Sequence, residues 1–432
     1  MKEKLFLVII IMLLPSFMFS EKKTRTIDVQ SAVDAAIKNN ISLKQEELQL
    51  KESERKYKHS WNNILPSVSA KASAGSNGSL SDFSNNSSSV DTGISANLSL
   101  NLGLTKKLES LKLSYESGKL SYTQALSQLE YEVTTSFYSL LVLENQVSIN
   151  EEALNANKAQ YERTKSKKEK GLASELDLLS AQVNYETAKI NLRDVEKSYK
   201  NALKEFLNNI GISLEEDEEL VLSGSLDDCL ELIENIDTKQ DIEQLVEKNS
   251  SIVALENSLK QTELSRSQLF SSSFLPSLNL SANINPYSYS WNNGSLLEGN
   301  KNWSVSAGLS LSLDNLLPGS TARDNISDLD DSIESLKLQI ENEKSKLKIQ
   351  INQMLEEIEF GKENLESCRL NVELAKKSYQ MAEIAYKNGT KDLLSLQNLQ
   401  STYSNAQAQY MSQQLNLIKV LLNFKNLISV EA

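Results

Sequence analysis

Histidine is almost missing from this 432-residue chain. His59 is the only one, and with it go His-based acid–base catalysis and His-rich metal sites. Cysteine is nearly as scarce: Cys229 and Cys368 are too few for a disulfide framework, and the plain expectation is two unpaired thiols. Only 5 prolines, 14 glycines and 6% aromatic residues are present. The formal net charge of −13 works against nucleic acid, which demands clustered cations. Beyond the first 20 residues no apolar run approaches the ~20 residues of a membrane-crossing helix.

The first 20 residues read as a secretory signal. Lys2 and Lys4 form the basic end and Leu5 to Leu14 the apolar core. No cysteine follows that core, so a lipid anchor there is not expected. An exported chain without a membrane-spanning helix follows.

What the chain does contain is a tandem duplication. Leu65-Pro66-Ser67 returns as Leu275-Pro276-Ser277. Each phrase is followed by a second near-copy, Ser95 to Leu102 against Ser306 to Leu313. A period this long marks a duplicated domain rather than a solenoid module. The division predicted is 21–214 for the first repeat, 215–238 for an acidic linker or short equatorial surface element (Glu215, Glu216, Asp217, Glu218 and Glu219 in a row), and 239–432 for the second repeat.

Within the first repeat, residues 27–63 read as helix with Ala32, Val33, Ala36, Ile37, Leu43, Leu48 and Leu50 on the apolar side. Pro66 ends it. A strand pair over 66–103 follows. Val68, Ala70, Ala72 and Ala74 alternate with polar residues, Gly75 to Ser89 reads as loop, and Ile94, Ala96, Leu98, Leu100 and Leu102 alternate again. The second pair, over 276–313, carries Leu278, Leu280, Ala282 and Ile284, then Val305, Ala307, Leu309, Leu311 and Leu313; Tyr287, Tyr289 and Trp291 read as part of the loop between.

Long helices come next, predicted over 105–170 and 321–388, with returning helices over 173–208 and 391–428. At 1.5 Å per residue each long helix would run roughly 100 Å. Leu329, Ile333, Leu336, Ile340, Leu347, Ile351, Met354, Ile358, Leu365, Cys368, Val372, Ala375, Tyr379, Ala382 and Tyr386 form a heptad seam, so this helix packs as a coiled coil. Gly171 and Gly389 stop the long helices, with Lys165, Lys167, Lys168, Lys170 and Lys387 in or near the last turns. Ser174 and Asp177 form a capping box for the first return. The fold class expected is therefore mainly α with a small β part, built from a duplicated unit of long helical hairpins and two β-hairpins.

The strands constrain function. The long helices spend their seams on each other and cannot cover the apolar strand faces. The strands are about as long as a tilted transmembrane strand, and the Ser/Asn face suits a water-filled lumen. In lipid the sheet must close. Four strands enclose nothing, so several copies share one barrel. Ile94, Leu98, Leu100, Val305, Leu309 and Leu311 then face lipid, with Trp61 and Trp303 as interface anchors. In a soluble β-structure those tryptophans would be core.

No catalytic constellation emerges. Pro318-Gly319-Ser320-Thr321 lacks the Gly-Lys pair of a phosphate loop. No enzyme activity, cofactor or metal is expected.

The layout resembles the TolC family of outer-membrane efflux ducts. The resemblance rests on the doubled Leu-Pro-Ser, on Gly171 to Gln182 with Tyr185 and Ala188, and on Tyr386 to Lys391 with Gln400, Tyr403 and Ala406. It implies a homotrimer: a trimeric α-barrel with a shared transmembrane β-barrel, in the outer membrane with a long periplasmic part. It implies the exit duct of a tripartite efflux pump or type I secretion system, working with a periplasmic adaptor protein and an inner-membrane pump. Gly171, Leu172, Gly389, Thr390 and Lys391 would dock the adaptor. Asp177, Ser395 and Asn398 are the candidates for a tube constriction. Family members can place aspartates six and nine residues after the second tip glycine; here those positions are Ser395 and Asn398, so an acidic ring is not carried over. The competing reading is a periplasmic or surface coiled-coil scaffold or adhesin with no pore.

Overall fold

The computed structural model describes residues 23–79, 82–213, 218–227, 242–292, 295–297 and 301–428. The proposed signal over 1–20 and Cys229 lie outside them. The chain is mostly helical. Its elements run β1 (Lys23–Ile27), α1 (Val29–Asn39), α2 (Ile41–Lys58), a 3-10 turn (Ser60–Ile64), β2 (Ser67–Ser79), β3 (Asp82–Leu100), α3 (Leu104–Glu169), α4 (Glu175–Ile210) and β4 (Glu218–Leu222). The second half runs α5 (Ile242–Lys248), α6 (Ser250–Phe274), β5 (Ser277–Asn292), β6 (Ser295–Leu297), β7 (Asn302–Ser310), α7 (Thr321–Lys387) and α8 (Leu393–Ile428).

Two compact units form, and they cut across the repeats. One gathers the described residues of Met1–Ile41, Ser127–Thr238 and Met354–Asn426; the other gathers those of Ser42–Leu126, Lys239–Gln353 and Leu427–Ala432. Each long helix contributes to both.

The first unit has the denser core. Phe137, Leu140, Phe206, Ile210, Ile418, Leu421 and Phe424 are fully buried. Phe137 packs on Phe206 with ring centroids 6.2 Å apart. Strands β1 and β4 pair in parallel, Lys23 with Glu218 through Ile27 with Leu222. This corrects the helix start and specifies the acidic segment. Residue 27 ends a strand rather than opening a helix, and part of the acidic segment 215–238 is strand. Both strands are short and find their partner nearly 200 residues away, which local pattern does not reveal. The helix expected over 27–63 is also broken. Asn40 leaves helical geometry (φ −59°, ψ 128°) and its side-chain amide donates to the Asn209 carbonyl at 3.3 Å.

The second unit carries the large sheet, in the order β2-β3-β5-β7 with the short β6 also on β5. All pairings in it are antiparallel. Leu65 and Leu275 are extended before their prolines (ψ 148° and 151°), the steric effect expected of X-Pro. The described residues of the stretch Gly75 to Ser89 are strand rather than loop: β2 pairs with β3 out to Gly78 against Asn86. Tyr287 and Tyr289 are likewise in strand, opposite Thr92 and Val90. The register slips there, since Asn285 and Pro286 stand opposite Gly93 alone. Proline at a bulge costs no ladder bond and flips the alternation beyond it. That flip hid the strand from a period-2 reading.

The heptad seam of α7 is observed along its whole length. Ile333, Leu347, Ile351, Met354, Ile358, Ala375 and Ala382 are buried, and the other eight predicted positions are half-buried. Cys368 sits in that seam as a free thiol.

Candidate functional site

The sheet has two chemically distinct faces, set by register. Val68, Ala96, Ala282 and Val305 form one row across the strands. Ala70, Ile94, Ile284 and Trp303 form the next, and Leu98, Leu280 and Ala307 a third. The other face is serine and asparagine. Ser69 and Ser95 hydroxyls are 2.8 Å apart, Ser281 and Ser306 2.7 Å, Ser277 and Ser310 2.9 Å, and the Asn279 amide donates to Ser310 at 2.9 Å.

No helix among the described residues lies over the apolar rows closely enough to bury them. Trp303 is 77% exposed, Val305 72% and Leu309 76%. Ile94 is exposed and Leu98 and Leu100 are half-buried. Leu311 is exposed but falls one residue past the end of β7, so it is not a strand residue. Trp61 is 54% exposed, which rules out the core role a soluble structure would give either tryptophan. From Leu278 to Tyr289 the apolar band climbs roughly 36 Å along the strand at 3.3 Å per residue. Tilted at about 45°, that is a height of roughly 25 Å, the thickness of an outer-membrane barrel's greasy belt. Both edges, β2 and β7, lack a partner strand among the described residues.

The hairpin tips lie in the other unit and repeat each other. Gly171 has φ 72° and Gly389 φ 74°. Leu172 N–H donates to the Lys167 carbonyl at 2.8 Å and Thr390 N–H to the Ala385 carbonyl at 2.9 Å, the 6→1 bond of a Schellman stop. An added Cβ at either glycine meets nothing within 4 Å, so glycine is required by backbone conformation alone. Leu172 is 74% exposed, and Thr390 and Lys391 are exposed beside it.

Each returning helix starts four residues after its glycine. Asp177 N–H donates to the Ser174 hydroxyl at 3.0 Å, and Ser174 N–H donates to the Asp177 carboxylate at 3.1 Å, closing the capping box. At the second tip Asp392 is the cap, accepting from Ser395 N–H at 2.7 Å. Hydrogen bonds from Ser174 and from Ser395 hold the Asp177 and Asp392 carboxyls below the ordinary carboxylate range. Asp392 therefore matches Ser174, and Ser395 matches Asp177. Stacked tyrosines keep the same register: Tyr161 on Tyr185 at 6.0 Å, and Tyr379 on Tyr403 at 6.2 Å.

Asn398 is exposed and lines a groove of about 380 Å³ with Asn150, Asn157, Asn184, Gln397 and Asn405, with no charged residue in its lining. Ser395 and Asn398 leave the second tip neutral beyond its cap. Among the described residues no helix is long and apolar enough to cross a membrane, and no acidic, His or Cys cluster could hold a metal.

A second set of seams was not anticipated. Leu176, Leu179, Val183 and Ile190 on α4 are 72%, 50%, 62% and 57% exposed. Val183 sits two residues from buried Ala181, about 200° around the helix, so this stripe points away from the hairpin's own core. On α7, Leu370, Leu374, Met381 and Ile384 are exposed in the same way. Tallying apolar residues at every heptad phase, rather than the strongest alone, would have exposed both.

The sequence profile of outer membrane efflux proteins matches residues 32–211. No curated protein matches the sequence. Among solved structures, the Campylobacter jejuni CmeC outer membrane channel aligns with TM-score 0.78 at 15% identity over 93% of this chain and 85% of its own. The open-state MtrE outer membrane channel of Neisseria gonorrhoeae aligns at 0.76 and 19% identity over 93% and 88%. The Vibrio cholerae outer membrane protein VceC gives 0.70 and 13% over 93% and 95%. Residues 32–211 thus resemble outer membrane efflux proteins in sequence, and over nearly its whole length the chain has the fold of outer-membrane channels.

Proposed function

We propose that this chain is a passive exit duct, a homotrimer in the bacterial outer membrane with a long periplasmic part. Three copies of the sheet's four long strands, β2, β3, β5 and β7, would join β7 of one to β2 of the next and close a twelve-stranded barrel. The single observation carrying this is the two-faced sheet: apolar rows left bare on one side, hydroxyls and amides on the other, and both edges open. An open edge in lipid strands backbone groups at several kcal/mol each, so closure with copies is compulsory. The outward seams of α4 and α7 give the helices a matching apolar surface for neighbouring copies.

The tips, Gly171-Leu172 and Gly389-Thr390-Lys391, would dock a periplasmic adaptor that links the duct to an inner-membrane pump, in a tripartite efflux or type I secretion assembly. Asp177 serves as a cap rather than a free constriction charge. If the tube narrows at Ser395 and Asn398, it does so with neutral groups. The duct makes and breaks no bonds; its pump selects the cargo.

A poreless scaffold has no use for a bare band of membrane height. Gel migration tests the choice. A trimer that needs detergent for extraction and dissociates on heating supports the duct. An elongated dimer released by salt alone refutes it.

A further inference from the structure

The chain is strongly acidic, yet one pocket at the foot of the sheet is lined by cations. Arg55, Lys56, His59, Asn62, Asn63 and Lys107, with Leu111, enclose about 380 Å³ with no carboxylate in the lining. The pocket lies just before β2, beside the 3-10 turn that displays Trp61, Ile64 and Leu65, exposed at 54%, 46% and 50%. From this juxtaposition of cationic pocket and greasy rim we propose that it binds the phosphate headgroup of an anionic phospholipid, with the acyl chains on the exposed Trp61–Leu65 surface. The inference rests on the outer-membrane reading above.

Three observations separate this from ordinary surface charge. Arg55 and Lys56 fall in the last turn of α2, where cations suit the helix dipole. Lys107 falls in the first turn of α3, where a cation is disfavoured, and no acidic residue occupies that turn. The fold alone gives no reason for a lysine there; an anion in the pocket does. Next, Lys56 is paired with Glu52 at 2.7 Å, whereas Arg55 feels Glu52 only at longer range and neither it nor Lys107 makes a direct ion pair among the described residues. Two donors thus remain for a phosphate, one of them a guanidinium fork. Finally, the duplicated position in the second repeat lacks the cluster. Ser265, Arg266, Leu269, Ser272 and Ser273 stand there, and Arg266 is bound to Asp330, with a 3.0 Å contact. The repeat folds without these cations, so architecture does not account for them. An aromatic at the membrane boundary beside a basic patch is the arrangement that holds anionic headgroups.

The test uses the full chain extracted in detergent, mixed with phosphatidylglycerol or phosphatidylcholine and read by native mass spectrometry. Phosphatidylglycerol should be retained at least tenfold more than phosphatidylcholine, and Arg55→Gln with Lys107→Gln should remove that preference. Lys197→Gln, exposed on α4, should leave it intact. Equal retention of both lipids, or preference unchanged in the double variant, overturns the proposal. So does equal displacement by millimolar inorganic phosphate, which would make this a free-anion site. A protein that leaves the cell envelope without detergent overturns the duct reading itself; a detergent-extracted trimer indifferent to headgroup overturns only this inference.

Discussion

Placing a carboxylate at Val183 separates the fold of one chain from the proposed assembly of three. Val183 is 62% exposed in the single chain, while Ala181 and Ala188 fill the hairpin's interior at 1% and 8%. Within one chain, Val183→Asp is a surface change worth within about 0.5 kcal/mol. Against a neighbouring copy it removes about 1 kcal/mol of apolar burial, scaled from the 1.5–3 kcal/mol of a fully buried side chain. It also desolvates an unpaired carboxylate, at roughly 3–5 kcal/mol. Threefold symmetry repeats the defect, so a trimer should lose on the order of 10 kcal/mol. The assay is the temperature at which the trimer band disappears on a detergent gel, with far-UV circular dichroism on the same sample. Helicity should match the parent while the trimer band is lost; Val183→Ile should keep both. A Val183→Asp trimer as heat-resistant as the parent refutes α4 as an assembly surface.

Gly171→Val and Gly389→Val force a β-branched residue into left-handed geometry at about 1–2 kcal/mol each. Since the tips are open, export should fail while trimers still assemble, read by export assay and gel together. Val305→Arg, opposite Ala282 near the middle of the proposed lipid band, should cost about 2–4 kcal/mol per chain and abolish detergent-extractable trimers, whereas Ser306→Ala on the hydroxyl face should assemble normally. Ser174→Ala should cost about 1 kcal/mol at the start of α4, seen as faster amide exchange over residues 175–178. The same tip is acid-sensitive. The Asp177 carboxyl is held below its ordinary 3.8 in the folded chain, so its contribution is complete above that value and fades as pH falls through the lower folded value. Amide exchange at the first tip should accelerate only under those acidic conditions; protection that declines instead between pH 5 and 7 refutes the assignment.

The long helices and their ends were legible because the signals are local. The seam from Leu329 to Tyr386 keeps one heptad register throughout, with only Lys344 and Gly361 in its two skipped places, and Gly171 and Gly389 stop the helices by conformation alone. The alternation at Ile94 to Leu100 was equally plain. The first helix departs from its local pattern because its ends depend on distant partners: Ile27 on Leu222, and Asn40 on Asn209. The Ser/Asn/Gly strand from Gly75 to Ser79 has no apolar face to show, and Pro286 reverses the alternation where Tyr287 and Tyr289 follow. Of the candidate site, the tip glycines and strand residues could be read directly. The outward seams are legible once every heptad phase is tallied; the cationic pocket is not, because it joins residues of α2 and α3 whose shared surface appears only once those helices are placed.

Sequence by itself determined the duplication, the coiled-coil period, the helix stops and the alternating strand faces, since all follow from periods of a few residues and from the φ preferences of glycine and proline. Tertiary structure alone decided the β1–β4 pairing, the strand order with its two open edges, and the apolar rows that no part of the described chain covers. Those depend on contacts far apart along the chain, whose closure no local pattern encodes.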